Sequence, residues 1–117
     1  MIRRVTLVAA LVLALAVGPL LALPAGGQHT VSDTAAVLDS STVPYTYITI
    51  RLEPGASICY FGDSDVTAAP ANAHGYLTAS ADAGESWTFT NPSGGGIAPN
   101  TIYIIGTVGD ILFWTAG

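Results

Sequence analysis

The sequence predicts an all-β domain: a small antiparallel β-sandwich or barrel of six or seven short strands, preceded by an N-terminal apolar helix. Three observations carry this expectation. From Val31 onward no stretch repeats apolar residues at i, i+3, i+4 and i+7 over the three turns that an amphipathic helix needs. Short runs rich in Ile, Val, Thr and aromatic residues recur instead. Turn residues interrupt those runs at roughly ten-residue spacing, the rhythm of small sandwiches and barrels.

The first element is MIRRVTLVAALVLALAVGPLLALPAGG, in which Val5 to Leu23 carries no charge. About 20 apolar residues span a bilayer, whereas a secretory core is about 7 to 15. The full run, with Val5, Leu7, Leu11, Leu13, Leu15, Leu20 and Leu21 as its apolar contacts, fits a membrane or assembly anchor. Gly18 and Pro19 interrupt it, and the part before them fits a signal peptide that is removed. A third reading buries the helix within a protein assembly. Arg3 and Arg4 hold the N-terminus on the positive side in either membrane reading and send the rest across. The retained helix is carried forward here. Residues 1–27 are assigned to it, 28–33 to a linker and 34–117 to the sandwich domain.

Within the domain, TAAVLD near residues 34–39 reads as a first strand. In PYTYITIRLEPG, Thr46, Ile48, Ile50 and Leu52 fall on one face, and Tyr45, Tyr47, Thr49 and Arg51 on the other. Glu53-Pro54-Gly55 stops that strand, since Pro presets φ and Gly accepts a positive one. ASICYF follows, with Ile58 and Tyr60 facing one way and Cys59 and Phe61 the other, closed by GDSD. After APANAHG come the short apolar pair Tyr76-Leu77, the turn SADAGE, and SWTFTN with Trp87 and Phe89 on one face. NPSGGGIAPN reads as a flexible loop. TIYIIG and ILFWT make the last strands, joined by Thr107-Val108-Gly109-Asp110 as a hairpin. Both strands are apolar on both faces, which places them at the sandwich centre or against another subunit; the second reading is preferred.

Composition narrows the function. The 117 residues contain 9% charged side chains and no lysine, and beyond Arg3 and Arg4 the chain sets Arg51 against eight carboxylates, a formal charge of −7. Phosphate backbones need clustered Lys and Arg, so nucleic acid is excluded as a partner. Cys59 stands alone and reads as a small apolar core residue. His29 belongs to the linker and His74 to a solvated loop; no G-x-S-x-G elbow accompanies them. Asp63 and Asp65 miss the EF-hand pattern, because Thr67 and Ala68 stand where it requires Asp or Asn and Gly. They read as turn formers whose side chains bond the local backbone. SGGGIAPN lacks the Lys of a phosphate cradle. No catalytic residue, metal ligand or cofactor site is expected.

The order ITIRLEPGASICYFGDSDVT, HGYLTASADAGESWTF, TIYIIGTVGDILFW resembles small β-sandwich virion proteins of bacteriophages, of the minor capsid, head-decoration or head-fibre type. The resemblance covers about 70 residues in these ordered stretches; the apolar N-terminal helix is outside it, and SGGGIAPN is longer than its pattern. It implies a structural, non-enzymatic subunit that binds other virion proteins, as a homo-oligomer or lattice-bound. Its location would then be the virion, with an associated viral or host membrane through residues 5–23. Because aromatic residues are enriched at interfaces, Tyr45, Tyr47, Tyr103 and Trp114, with Leu112 beside them, are the expected contact residues. The rival is an exported cell-envelope module binding a carbohydrate or protein ligand through its loops. A small secreted hydrolase ranks third, with no nucleophile and base to name.

Overall fold

The computed structural model describes residues 24–117. The expected apolar helix through residue 23, and with it the anchor residues Val5 to Leu21, lies outside the described residues. Among the described residues no helix is long and apolar enough to cross a membrane.

Eight strands build the domain: β1 (Ala25–Thr30), β2 (Ala36–Val37), β3 (Tyr47–Leu52), β4 (Ile58–Gly62), β5 (Gly75–Thr78), β6 (Ser86–Thr90), β7 (Tyr103–Gly106) and β8 (Ile111–Ala116). They form two four-stranded antiparallel sheets. Sheet A has the order β1-β8-β3-β6 and sheet B the order β2-β7-β4-β5. Single 3-10 turns at Pro70–Asn72 and Pro99–Thr101 are the described helical elements.

Period-two pleating gives each sheet an inner row. Ile48, Ile50 and Leu52 of β3 and Leu112, Trp114 and Ala116 of β8 face inward from sheet A. Cys59 and Phe61 of β4, Leu77 of β5 and Ile104 of β7 meet them from sheet B. Phe61 is fully buried; Phe89 lies edge-on to it at 5.2 Å and Trp87 is tilted against it at 5.3 Å. Such aromatic pairs add about 0.5–1.5 kcal/mol beyond area burial, so Phe61 is the joint at which the two sheets lock.

The chain passes from one sheet to the other at every connection except β4 to β5. This corrects the expected hairpin: β7 belongs to sheet B and β8 to sheet A. The turn between them explains why. Asp110 N donates to Thr107 O at 3.2 Å, Gly109 has φ +91°, and among the described residues no non-glycine has positive φ. Positive φ at the third position alone is the type II turn, whereas tight hairpins need the primed types. Glu53-Pro54-Gly55-Ala56 is a second turn of the same kind, with Gly55 at φ +83° and Ala56 N donating to Glu53 O at 3.2 Å. The two turns lie side by side, because β3 pairs β8 in one sheet and β4 pairs β7 in the other. Carboxylates cross-link them: Ile111 N donates to Glu53 Oε1 at 3.0 Å, and Ser57 N donates to Asp110 Oδ2 at 2.9 Å.

A further correction concerns the linker. Residues 25–27, assigned to the helical segment, and 28–30, assigned to the linker, together form β1, paired in full register with β8 from Ala25↔Ala116 to Thr30↔Ile111, and Val31 just beyond is buried in the core. AGGQHT lacks the β-branched content that marks a strand, yet its glycines fit: a Cβ at Gly26 would sit 2.7 Å from Trp114 O, and one at Gly27 would sit 3.2 Å from Trp114 Nε1. Only a chain this slim lies flat over the tryptophan.

Candidate functional site

The expected contact residues separate on folding. Leu112 is fully buried and Trp114 nearly so, because β8 is central in sheet A and their side of it is the inner one. They belong to the domain's own core, which removes them from any outward surface. Tyr45 is also buried. Thr46 N and Tyr47 N both donate to Gly117 O, at 2.8 and 3.1 Å, a β-bulge that breaks the alternation and turns Tyr45 inward. Tyr45 then bridges Ile97 through a reciprocal backbone pair at 2.8 and 2.9 Å. Tyr47 is exposed, and Tyr103 is half-buried on the outer side of sheet B.

Register brings other residues out. On sheet B, Tyr60 stands opposite Tyr76 on β5 and Ile105 on β7; Ile58 stands opposite Thr78, and Tyr103 opposite Val37. Cross-strand partners share a face, so Val37, Tyr103, Tyr60, Ile58 and Tyr76 form one outward apolar surface, with Ile105 buried beneath its neighbours on the same side. The Tyr60 and Tyr76 rings are 6.0 Å apart, and Tyr76 keeps 49% of its surface exposed. Alternation within ICYF assigns Tyr60 its direction from sequence; Tyr76 joins it only through the β4–β5 register.

The outer side of sheet A differs. One cross-strand row is Thr115, Thr49 and Thr88, and the next is Gln28, Phe113, Arg51 and Ser86. The Thr49 and Thr88 hydroxyls are hydrogen-bonded at 2.8 Å. With Pro54 at one end, Thr49, Arg51, Ser86, Phe113 and Thr115 line an open concavity of about 630 Å³. Phe113 is 39% exposed.

A smaller polar hollow of about 280 Å³ lies at the β4–β5 loop, lined by Asp63, Asp65, Asn72 and His74. His74 Nε2 lies 3.3 Å from Asp63 Oδ2, with both side chains mostly exposed. The GDSDVT turn is closed by Val66 N donating to Asp63 O at 3.0 Å, so the backbone holds it where Asx side chains were expected, and Asp63 turns to His74. Among the described residues no group of three His, Cys, Asp or Glu side chains is placed to hold a metal ion. Cys59 is fully buried and burial pushes its thiol up to about 12, so it packs as an apolar side chain. Glu85 is held below the usual carboxylate range by the Thr78 hydroxyl and the Thr78 N–H, both donating to its Oε1. These two bonds fasten the β5–β6 connection. His29, expected in the linker without a partner, lies on the inner side of β1 with Nδ1 3.2 Å from Leu38 O.

No family model, curated protein or solved structure matches this chain.

Proposed function

We propose that this chain is a non-enzymatic structural subunit that binds neighbouring subunits of a bacteriophage particle, as a minor capsid, decoration or tail-associated protein, with the apolar segment at residues 5–23 as its anchor. The observation that carries the binding role is the outward face of sheet B. Val37, Ile58, Tyr60, Tyr76 and Tyr103 present an apolar and tyrosine-rich surface on one sheet face. Tyrosines supply large contact area at low rotamer cost and are enriched at interface centres. The low charge of the chain removes much of the desolvation penalty of bringing such surfaces together. The virion assignment rests on the ordered segments through GDSDVT, DAGES and IIGTVGD. In the fold these are the β4–β5 turn, the β5–β6 connection and the paired crossing turn, all positions that connect strands.

The test uses the full chain. Sedimentation should give a concentration-dependent assembly, or binding to particles stripped of the protein, and Tyr60→Asp with Tyr76→Asp should abolish either one while thermal stability stays near wild type. A wild-type chain that stays monomeric at high concentration and ignores stripped particles removes the assembly role.

The rival reading, an exported binding module for a carbohydrate or protein ligand, draws on a different observation, the concavity over Arg51 and Phe113. The two readings use opposite faces.

A further inference from the structure

The outer face of sheet A carries features that subunit packing through sheet B leaves unused. Arg51 is the sole cationic residue outside the N-terminal Arg3 and Arg4, and the chain that follows those two carries a formal charge of −7. With eight carboxylates available, the one ion pair among the described residues joins Asp63 to His74; Arg51 stands with no carboxylate within 4.0 Å. Its neighbours across the strands are Phe113 on one side and Ser86 on the other. The adjoining row supplies the hydroxyls of Thr115, Thr49 and Thr88. The open concavity lined by Thr49, Arg51, Ser86, Phe113 and Thr115, about 630 Å³, lies within the roughly 300–1,000 Å³ typical of small-ligand sites.

Each component selects a chemistry. A guanidinium presents a planar fork that matches a carboxylate with two parallel hydrogen bonds. An exposed aromatic ring on a sheet surface offers an apolar platform to the C–H face of a sugar ring. A row of hydroxyls on neighbouring strands, Thr49 and Thr88 already joined at 2.8 Å, suits a ligand dense in hydroxyl groups. The surrounding negative charge opposes a polyanion, so the ligand carries isolated rather than contiguous charges. We infer that the outer face of sheet A is a binding site for an acidic oligosaccharide, one uronate carboxylate paired with Arg51, its sugar ring on Phe113, and neighbouring hydroxyls on the Thr49, Thr88 and Thr115 row. The site faces away from sheet B, so a subunit docked by its tyrosine face presents this one outward.

Titration calorimetry tests it on the full chain, held in a detergent without a sugar headgroup. The probe is a tetrasaccharide alternating glucose and glucuronate, compared with the same tetrasaccharide after reduction of its carboxyl groups to alcohols, and with sodium acetate. The acidic tetrasaccharide should bind, its reduced form about tenfold more weakly or worse, and Arg51→Gln should reproduce that loss, as expected when a charge-assisted pair is removed. Phe113→Ala should weaken binding about threefold to tenfold, and Arg51→Lys should fall between wild type and Arg51→Gln. Both side chains are exposed, so the variants keep the fold, which an unchanged melting temperature verifies. No binding at millimolar tetrasaccharide, equal binding of the reduced form, an unchanged Arg51→Gln, or displacement of the sugar by acetate at matching concentration would each overturn the assignment.

Discussion

The two outer faces of this sandwich are made from the same kind of strand, yet they solve opposite problems. Sheet B turns outward Ile58, Tyr60, Tyr76, Tyr103 and Ile105; sheet A turns outward Thr49, Arg51, Thr88, Phe113 and Thr115. Inside, the faces are alike, both closely packed with aliphatic and aromatic side chains. The difference teaches that the inner rows decide whether the domain folds, while the outer rows are free to specialise, one toward a dry contact and the other toward a wet ligand. Substitutions that respect this division should change one property at a time.

The largest effect comes from striking what both faces share. Phe61 is fully buried between the sheets and touches Trp87 and Phe89. Phe61→Ala should cost about 3–5 kcal/mol, a large part of the stability of a domain this small. Denaturant titration should show a collapsed midpoint, and both the assembly and the ligand functions should vanish together. A mild loss would mean that the sheets are locked elsewhere.

Separating the faces is the next test. Tyr60→Asp with Tyr76→Asp should weaken subunit association by about 100-fold or more, the scale of losing interface anchors worth at least 2 kcal/mol. It should leave calorimetric binding on sheet A unchanged. Phe113→Asp should do the reverse. If either variant disturbs both functions, the faces are not independent.

Much of this division is legible in the sequence, and the exceptions have physical causes. The alternation of YITIRL and ICYF assigns Ile48, Ile50, Leu52, Cys59 and Phe61 to one side of their strands, and the structure buries all five. The turn at Glu53-Pro54-Gly55 is equally plain. What misleads is local: Tyr45 reverses face at a bulge created by the carbonyl of Gly117, far away in the chain. Leu112 and Trp114 look like one side of a two-faced apolar strand until β8 is known to be central, and the sequence cannot say which side is inner. Thr107-Val108-Gly109-Asp110 has the composition of a hairpin turn, but only the sign of φ at Val108 separates a hairpin from a crossing. The strand AGGQHT carries almost no β signal because its place is set by Trp114 beneath it. For the outer faces, the sequence supplies the residues and the register supplies their grouping; Tyr76 beside Tyr60 and Phe113 beside Arg51 are both products of pairing.

The crossing turns link the two faces, and they give a smaller effect. Gly109 has φ +91° with open space where a Cβ would lie, so Gly109→Ala meets backbone strain and no clash. It should cost about 1–2 kcal/mol. In a domain of 60–100 residues each kcal/mol lowers the melting temperature by about 4–8 °C, and Gly55→Ala, at φ +83° and equally open, should match it. The turns are cross-linked through Glu53 and Asp110, so the double variant should fall short of the sum of the two losses. Strict additivity would show that the two turns act separately.

The smallest effect lies where the sheets meet at an open edge. His29 sits on β1 of sheet A, and its Nδ1 reaches Leu38 O, just past β2 of sheet B, at 3.2 Å. A carbonyl only accepts, so Nδ1 carries the proton, and Nε2 is left buried without a partner. Protonation would add a buried donor with nothing to receive it. Burial accordingly lowers the imidazole below its ordinary value, and the Leu38 carbonyl opposes this only in part. The unfolded chain therefore binds the proton more readily than the folded one, and stability is fully present above about pH 6.5 and declines as the pH falls below it. Denaturant midpoints should fall slightly from pH 8 to pH 5. His29→Gln should flatten that slope, whereas the Tyr60 and Phe113 variants should keep it, because those side chains lie on the outer faces and His29 lies on the inner side of β1. A slope that survives His29→Gln would place the acid sensitivity elsewhere and leave β1 held by its pairing with β8 alone.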